Sequence, residues 1–175
     1  MTQLYGKNFI LMRKGTIMII DVIVASTSRF QRFGPAGGPE EAEDLSGKVI
    51  LERIKNARYT SRYQLLPDGI VPIQEAVQKS TSDAIIICGG TGLTHLDLTI
   101  EAVEPLFEKT LPGFGEIFRS RSMEEVGTRA MLTRATAGIY HNKPIFCLPG
   151  SPGAARLGTD LILAEIAHII KHIGE

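Results

Sequence analysis

Two stretches of this sequence are apolar at every position: Ala84 to Cys88 (AIIIC) and Pro144 to Leu148 (PIFCL). A third, Ile17 to Ala25 (IMIIDVIVA), is interrupted by Asp21, which we expect at a sheet end or beside a polar partner. A strand with one face in solvent alternates apolar and polar residues, so an unbroken apolar run predicts a strand buried on both faces. Because helical patterns separate these runs, we predict a three-layer α/β fold, with helices on both faces of a mostly parallel sheet.

The segments between these runs supply the other predicted elements. Apolar periodicity predicts helices over about 47–57, 70–77, 98–108, 112–118 and 154–173. Ser151 is the expected N-cap of the last of these helices. Residues 59–66 are expected to contain a further strand. Residues 26–44 are expected to form a Gly/Pro-rich loop, and no element is assigned to residues 121–135.

The length, charge and cysteine content of the chain limit the number of domains and the kinds of partner that we expect. With 175 residues one domain is expected, which we assign to residues 17–175, preceded by an N-terminal arm over residues 1–16. The 19 basic and 19 acidic side chains balance, so no nucleic-acid partner is expected. The stretch from Ile17 to Ala25 is too short to span a bilayer, so no membrane partner is expected. Cys88 and Cys147 end apolar runs, which predicts buried, reduced thiols in a cytoplasmic protein.

The apolar run Ala84 to Cys88 ends in Gly89-Gly90-Thr91-Gly92, a loop that can bind an anion. Glycines let the backbone turn sharply, and successive free N–H groups form a concave anion site that a following helix N-terminus reinforces. A tight strand-to-helix turn explains the same residues without a ligand. Neither common nucleotide motif, G-x-x-x-x-G-K-[ST] or G-x-G-x-x-G after the first strand, occurs here.

Three acids follow predicted strands, namely Asp44, Asp68 and Asp97. Each alone suits the N-cap of the helix that comes after it. Ligands of parallel α/β sheets bind at the carboxyl ends of the strands, so the three acids together can hold Mg²⁺ on a nucleotide. The polar segment from Ser26 to Arg29 follows the first strand and can contact phosphate there.

Seven segments carry a family resemblance through their order and spacing. They are Ser26-Thr-Ser-Arg29, Asp44-Leu-Ser-Gly47, Leu66-Pro-Asp68, Gly89-Gly-Thr-Gly92 with Asp97-Leu-Thr, Pro112-Gly-Phe-Gly115, Arg121-Ser-Met-Glu-Glu-Val-Gly127 and Leu148-Pro-Gly-Ser151. Over roughly residues 17–170 the chain resembles the MogA/MoaB family of molybdenum cofactor biosynthesis proteins, whose domain also occurs in plant Cnx and animal gephyrin. The Ser-x-Glu-Glu-x-Gly segment and the Pro-Gly-Ser loop resemble the MoaB branch.

The resemblance implies a doubly wound α/β fold and molybdopterin adenylyltransferase activity. In that reaction the terminal phosphate of molybdopterin attacks the α-phosphate of Mg-ATP, giving adenylyl-molybdopterin and pyrophosphate. The resemblance implies catalytic roles for Asp44, Asp68 and Asp97, with Mg²⁺ held by Asp44 and Asp97. It also implies substrate or nucleotide contacts from a second set of residues: Ser26, Gly89, Gly90, Thr91, Gly92, Ser122, Pro149, Gly150 and Ser151.

The family further implies a homo-trimer or homo-hexamer, with molybdate or tungstate inserted later by a downstream protein.

Two alternative functions stay open. One is a non-catalytic paralogue that binds molybdopterin or acts as a scaffold, which tight pterin binding without ATP binding would favour. The other is a hydrolase of nucleotide conjugates, as a related domain occurs in the competence-damage CinA proteins, and turnover of ADP-ribose would favour it.

Overall fold

The structure, a computed structural model, describes residues 18–175, so the expected arm over residues 1–16 lies outside the described residues. One six-stranded sheet crosses the molecule. Its strands are β1 (Ile19–Ala25), β2 (Thr60–Leu66), β3 (Ala84–Cys88), β4 (Lys109–Thr110), β5 (Thr136–Tyr140) and β6 (Lys143–Leu148).

The strand order is β2-β1-β3-β6-β5-β4. Strands β1, β2, β3 and β6 run parallel, whereas β5 is antiparallel to β6 and β4 is antiparallel to β5. The chain leaves β1 toward one sheet edge through β2 and then returns to build the other half from β3. This order confirms the mostly parallel α/β fold, and it places a topological switch point between β1 and β3, where such folds bind ligands.

Helices cover both faces of the sheet. They are α1 (Thr27–Phe33), α2 (Leu45–Asn56), α3 (Ile70–Lys79), α4 (Thr99–Val103), α5 (Pro112–Val126) and α6 (Pro152–Ile173), with 3₁₀ helices at Glu104–Leu106 and Gly127–Leu132. None of these described helices is long and apolar enough to cross a membrane.

Two of these helices differ from the sequence prediction. Helix α1 occupies the start of the expected loop over residues 26–44. It fully buries none of its residues, and its apolar side consists of Phe30 and Phe33 alone, which is too short a pattern to predict a helix. Helix α5 runs on into the unassigned segment 121–135, and over its whole length it buries only Gly115, Phe118 and Ser122. The loop prediction was therefore wrong at α1, because this short helix faces the core with only Phe30 and Phe33, which are partly buried.

The strands supply two cores, one on each face of the sheet. Ile86 and Phe146 point to the face covered by α2 and α6, where they pack with Ile50, Ile54, Ile162 and Ile166. Ile85 and Ile87 point to the opposite face and pack with Ile73, Val77 and Val103. Burial on both faces explains the unbroken apolar runs of the sequence. Cys88 and Cys147 are buried free thiols, as predicted.

Asp21 has the polar partner that its place inside β1 requires. It lies opposite Arg62 of β2 in the strand register, and Arg62 donates from Nε and Nη2 to the two carboxylate oxygens at 2.6 and 3.1 Å. The Ser80 hydroxyl donates a third bond of 2.6 Å to Asp21. Asp21 therefore joins β1, β2 and the end of α3.

Candidate functional site

A cavity of about 680 Å³ opens at the carboxyl ends of β1, β3 and β6. Its lining contains all but one of the predicted site residues: Ser26, Asp68, Gly89, Gly90, Thr91, Gly92, Asp97, Ser122, Pro149, Gly150 and Ser151. These residues come from distant parts of the chain and meet because their strands end at the same edge of the sheet.

Asp44 is the predicted site residue that does not line this cavity. It is 2% exposed, it caps α2, and it accepts hydrogen bonds from the Ser46 N–H at 3.1 Å and the Tyr63 hydroxyl at 2.9 Å. Burial, and then the neighbouring Asp44 charge, raise the pKa of Tyr63, which keeps that hydroxyl a donor. Asp44 therefore lies outside the lining of this cavity and holds the start of α2, and its catalytic and Mg²⁺-binding roles stay predictions.

The Gly89–Gly92 loop packs so closely that its glycine positions leave no room for a side chain. Gly89 has φ of 98°, and a Cβ atom there would collide with the carbonyl oxygen of Ala25. A Cβ atom at Gly90 would meet the Thr99 hydroxyl and the Asp68 carboxylate. Thr99 holds the loop from α4: its hydroxyl donates to the Gly89 carbonyl at 2.8 Å and its N–H to the Gly90 carbonyl at 2.9 Å. The loop is thus a rigid turn against β1 and α4.

Asp97 lies against this loop and does not cap α4, whose N-cap position is Leu98 without a side-chain bond. Asp97 accepts bonds from the Thr94 N–H at 3.0 Å and the Thr94 hydroxyl at 2.6 Å. Burial opposes ionisation, but the bonds from Thr94 and the Gly92 N–H, together with the Arg134 charge, lower the pKa of Asp97 below its ordinary value. Asp97 is therefore a carboxylate at neutral pH.

Asp68 lies on the other side of the loop, with Oδ1 facing Gly90. Its Oδ2 accepts from the Thr27 N–H at 2.7 Å and the Thr27 hydroxyl at 2.8 Å, while the Asp68 N–H donates back to that hydroxyl oxygen at 3.0 Å. This exchange ties the segment after β1 to the segment after β2. It also fixes Asp68 so that one carboxylate oxygen faces the glycine loop.

Arg134 is a positioning residue that the sequence analysis did not identify. Its Nε donates to the Thr91 carbonyl and its Nη2 to the Asp97 carbonyl, each at 3.1 Å, and it forms an ion pair with Glu101. Arg134 therefore holds the loop at both Thr91 and Asp97. It comes from the unassigned segment 121–135, where no local pattern distinguishes it from a surface arginine.

The remaining walls come from β6, α6 and α5. Ser151 caps α6 by accepting from the Ala154 N–H at 3.3 Å, so the N-terminus of this 22-residue helix adjoins the cavity and favours an anion there. Ser122 of α5 is 8% exposed and forms part of the opposite wall. Glu125 and Val126, from the segment Arg121–Gly127 that carries the family resemblance, also line the cavity, as do Arg129, Leu132 and Thr133, which the sequence did not single out.

The donor set fits Mg²⁺ that arrives on a nucleotide. Within residues 18–175 no cluster of three or more His, Cys, Asp or Glu side chains can hold a metal ion. Three carboxylates do line the cavity, namely Asp68, Asp97 and Glu125, and Glu125 forms an ion pair with Arg156. Mg²⁺ commonly binds one or two carboxylates and completes its shell with phosphate oxygens and water. The cavity therefore has the ligands for a metal–nucleotide complex.

The fold and this cavity define a doubly wound α/β protein with a cavity at its switch point that is suited to an anionic ligand. Comparison with known families shows which family of this class the chain belongs to. The profile of the family described as "Probable molybdopterin binding domain" matches residues 21–168. The chain belongs to this family, the domain of the MogA and MoaB proteins, as the resemblance implied.

Individual relatives agree with this membership. "Molybdopterin adenylyltransferase" of Pyrococcus furiosus is 42% identical over 147 residues, covering 79% of this chain and 86% of the relative. "Molybdenum cofactor biosynthesis protein B" of Bacillus subtilis is 40% identical over 137 residues, covering 74% and 81%. The crystal structure of the tungsten cofactor synthesizing protein MoaB from Pyrococcus furiosus superposes with a TM-score of 0.77 at 38% identity, covering 91% of this chain and 98% of that one.

Proposed function

We propose that this protein transfers the adenylyl group of Mg-ATP to the terminal phosphate of molybdopterin and releases pyrophosphate, as a step of molybdenum cofactor biosynthesis. The observation that carries the proposal is the cavity at the switch point, where Asp68 and Asp97 flank the Gly89–Gly92 loop. The names of relatives that share about 40% of their residues with this chain give the same reaction and pathway.

Adenylyl transfer needs the phosphates to be aligned and their charge to be offset more than it needs covalent help from the protein. The Gly89 and Gly92 N–H groups are bonded to the Leu148 carbonyl and to Asp97. In this proposal the Gly90 and Thr91 N–H groups and the N-terminus of α6 therefore supply positive partial charge for two phosphate groups. Asp68 and Asp97 would hold the Mg²⁺ that ATP brings, and this ion offsets phosphate charge when bound. Arg134 and Thr27 keep the two carboxylates in place.

The two halves of the cavity divide the substrates between them in this proposal. The Gly89–Gly92 loop holds the substrate phosphate and the edge of the pterin, with Thr91 and Ser122 as further pterin contacts. Ser26 and the segment Pro149–Ser151 line the nucleotide side. The N-terminus of α6 supports this division. Its partial positive charge lies beside Ser151, where it favours the phosphates of a nucleotide.

We further propose that the chain works as a homo-trimer or homo-hexamer in the cytoplasm and passes its product to a molybdate-inserting protein. A largely apolar groove between α5 and α6, lined by Leu111, Phe114, Ile117, Leu161 and Ile169, supports self-association. The two buried free thiols suit a reducing compartment. Light scattering after size-exclusion chromatography tests the assembly, and a monomer at micromolar concentration would contradict it.

The activity is tested by mixing the purified protein with molybdopterin, ATP and Mg²⁺ and measuring adenylyl-molybdopterin by chromatography and mass spectrometry. We expect product with the native chain and a loss of about 100-fold or more in Asp97→Asn, by analogy with the loss of one preorganised electrostatic group. Asparagine keeps an oxygen that accepts from Thr94, so the loop should stay folded.

Asp160→Asn is the matched control, because Asp160 is an exposed carboxylate that forms an ion pair with Arg53 away from the cavity. This variant should keep full activity. Bound molybdopterin without product would instead support the non-catalytic alternative. Equal activity of Asp97→Asn and Asp160→Asn would overturn the catalytic role of Asp97.

A further inference from the structure

Two histidines face each other near the end of α6. His168 and His172 are one helical turn apart on the exposed side of the helix. Their Nε2 atoms are 3.1 Å apart, and their rings meet edge to face with centroids 4.4 Å apart. At this distance one neutral imidazole can donate its Nε2–H to the Nε2 lone pair of the other, and a metal ion bound by both lone pairs can replace that proton.

The separation of these nitrogens matches a metal chelate. Imidazole nitrogens bind Zn²⁺ at about 2.0–2.1 Å. Two nitrogens on one ion are then about 2.9 Å apart at a right angle and about 3.4 Å apart at a tetrahedral angle. The observed 3.1 Å falls between these limits, so the helix places the two nitrogens at a separation compatible with a shared ion.

The surroundings of the pair also suit a cation. His172 Nδ1 lies 3.4 Å from a carboxylate oxygen of Glu175. Histidine ligands commonly donate their second ring N–H to a carboxylate, which orients the ring and increases its basicity. The pair also lies in the last turns of α6, where the helix dipole favours positive charge. The positive charge of Lys171 is partly offset by Glu175, 3.8 Å away.

We propose that His168 and His172 form a binding site for a divalent late transition-metal ion such as Zn²⁺, Ni²⁺ or Cu²⁺, whose preferred ligands include imidazole. Water completes the coordination, because no third protein ligand joins the pair within the described residues. The site is separate from the adenylylation cavity, since about 20 Å of helix lies between Ala154 and His168. It does not depend on the function proposed above.

Isothermal titration of the full chain with ZnCl₂ and with NiCl₂ tests the proposal. We expect one ion per chain, and affinity lowered at least about tenfold in His168→Ala and in His172→Ala. His141→Ala is the control, because His141 is exposed beside Glu108 and forms no histidine pair. Glu175→Gln should weaken binding less than loss of either histidine. If His168→Ala and His172→Ala bind as tightly as the native chain, the proposal is overturned.

Spacing variants separate chelation from histidine content. Ala164 is exposed on the same helix, one turn before His168. Ala164→His combined with His172→Ala keeps two histidines four residues apart and should restore binding. Ala164→His combined with His168→Ala keeps two histidines eight residues apart, about 12 Å along the helix, and should not bind. Equal affinity of these two double variants would show that the helical pair is not the site.

Discussion

The loops after β3 and β6 lie side by side at the cavity, yet they are held in different ways. The Gly89 N–H donates to the Leu148 carbonyl at 3.0 Å, which joins the two loops. The loop after β3 leads into α4, a helix of five residues without a side-chain cap. The segment after β6 leads into α6, a helix of 22 residues capped by Ser151.

This difference separates two kinds of positioning. The acid-bearing loop after β3 depends on Arg134, a residue far away in the sequence, for the placement of Thr91 and Asp97. The segment after β6 is fixed mainly by its own helix and by Ser46, whose hydroxyl donates to the Gly150 carbonyl at 2.7 Å. We therefore expect changes around the first loop to affect catalysis more than stability, unless they alter its glycines.

The largest effect is expected from Gly89→Ala. The added Cβ atom collides with the Ala25 carbonyl, and φ of 98° is unfavourable for alanine, so the free energy of unfolding should fall by roughly 3 kcal/mol or more. Gly153→Ala in the first turn of α6 is the control, because nothing lies within 4 Å of its Cβ position. It should change stability by at most about 1 kcal/mol. Urea denaturation measures both, and equal midpoints would contradict the rigid packing of the first loop.

A smaller effect, on catalysis, is expected from Arg134→Gln. Losing the bonds to the Thr91 and Asp97 carbonyls should misplace Asp97 and lower kcat/KM by roughly 10- to 100-fold. Arg53→Gln is a close match, since the Arg53 and Arg134 side chains are both 29% exposed and both pair with one acid. Each substitution should cost less than about 1 kcal/mol of stability.

The steady-state rates of Arg134→Gln and Arg53→Gln show whether Arg134 positions the loop after β3 or only stabilises the fold. If Arg53→Gln loses as much activity as Arg134→Gln, the loss comes from a weakened fold. If Arg134→Gln keeps native kcat/KM, Arg134 does not position the loop.

Ser46→Ala addresses the second loop and should have a milder effect. Its hydroxyl is 3% exposed with one bond to the Gly150 carbonyl, so removal should cost about 1 kcal/mol of stability and raise KM for ATP a few-fold. Ser82→Ala is the control. Ser82 is 5% exposed and donates to the Ala84 carbonyl at 2.8 Å, at the amino end of β3. Denaturation should show similar losses for both, with KM changed only in Ser46→Ala.

The sequence predicted the parts of this molecule that depend on local patterns. Unbroken apolar runs identified β3 and β6 because these strands are buried on both faces. The carboxyl ends of parallel strands meet at the same edge of a sheet, so the loops after β3 and β6 were expected to lie together. Ser151 was identified as a cap because its interaction spans only three residues, to Ala154. The Ser26 side chain caps α1 over the same short span, because it accepts from the Arg29 N–H. The sequence analysis nevertheless did not predict that helix.

The parts that were missed depend on contacts between distant segments. Arg134 acts on residues 43 and 37 positions earlier in the chain, so no window of sequence contains both partners. Asp44, Asp68 and Asp97 look alike in sequence, since each follows a strand and precedes a helix. Only the neighbours supplied by the fold distinguish them: Tyr63 and Ser46 surround Asp44, whereas Asp68 and Asp97 face the cavity.

The smallest expected effect is a difference in pH response between the two loops. The pKa of Asp97 lies below its ordinary value of 3.8, so its bonds to Thr94 stabilise the folded loop fully above about pH 3.8. This stabilisation is lost as the pH falls through the lower pKa of the folded state. Segment Pro149–Ser151 carries no carboxylate and should not respond in this range.

NMR titration should give a midpoint below 3.8 for the Asp97 carboxyl, with amide shifts at Gly92 that follow it and no matching shift at Gly150. Thr94→Ala should bring the midpoint closer to 3.8, because it removes the hydroxyl bond to the carboxylate while the bond from the backbone N–H stays possible. High salt should do so more weakly, because it screens only the Arg134 charge. An Asp97 midpoint at or above 3.8 in the native chain would mean that the loop does not hold this acid in its charged form.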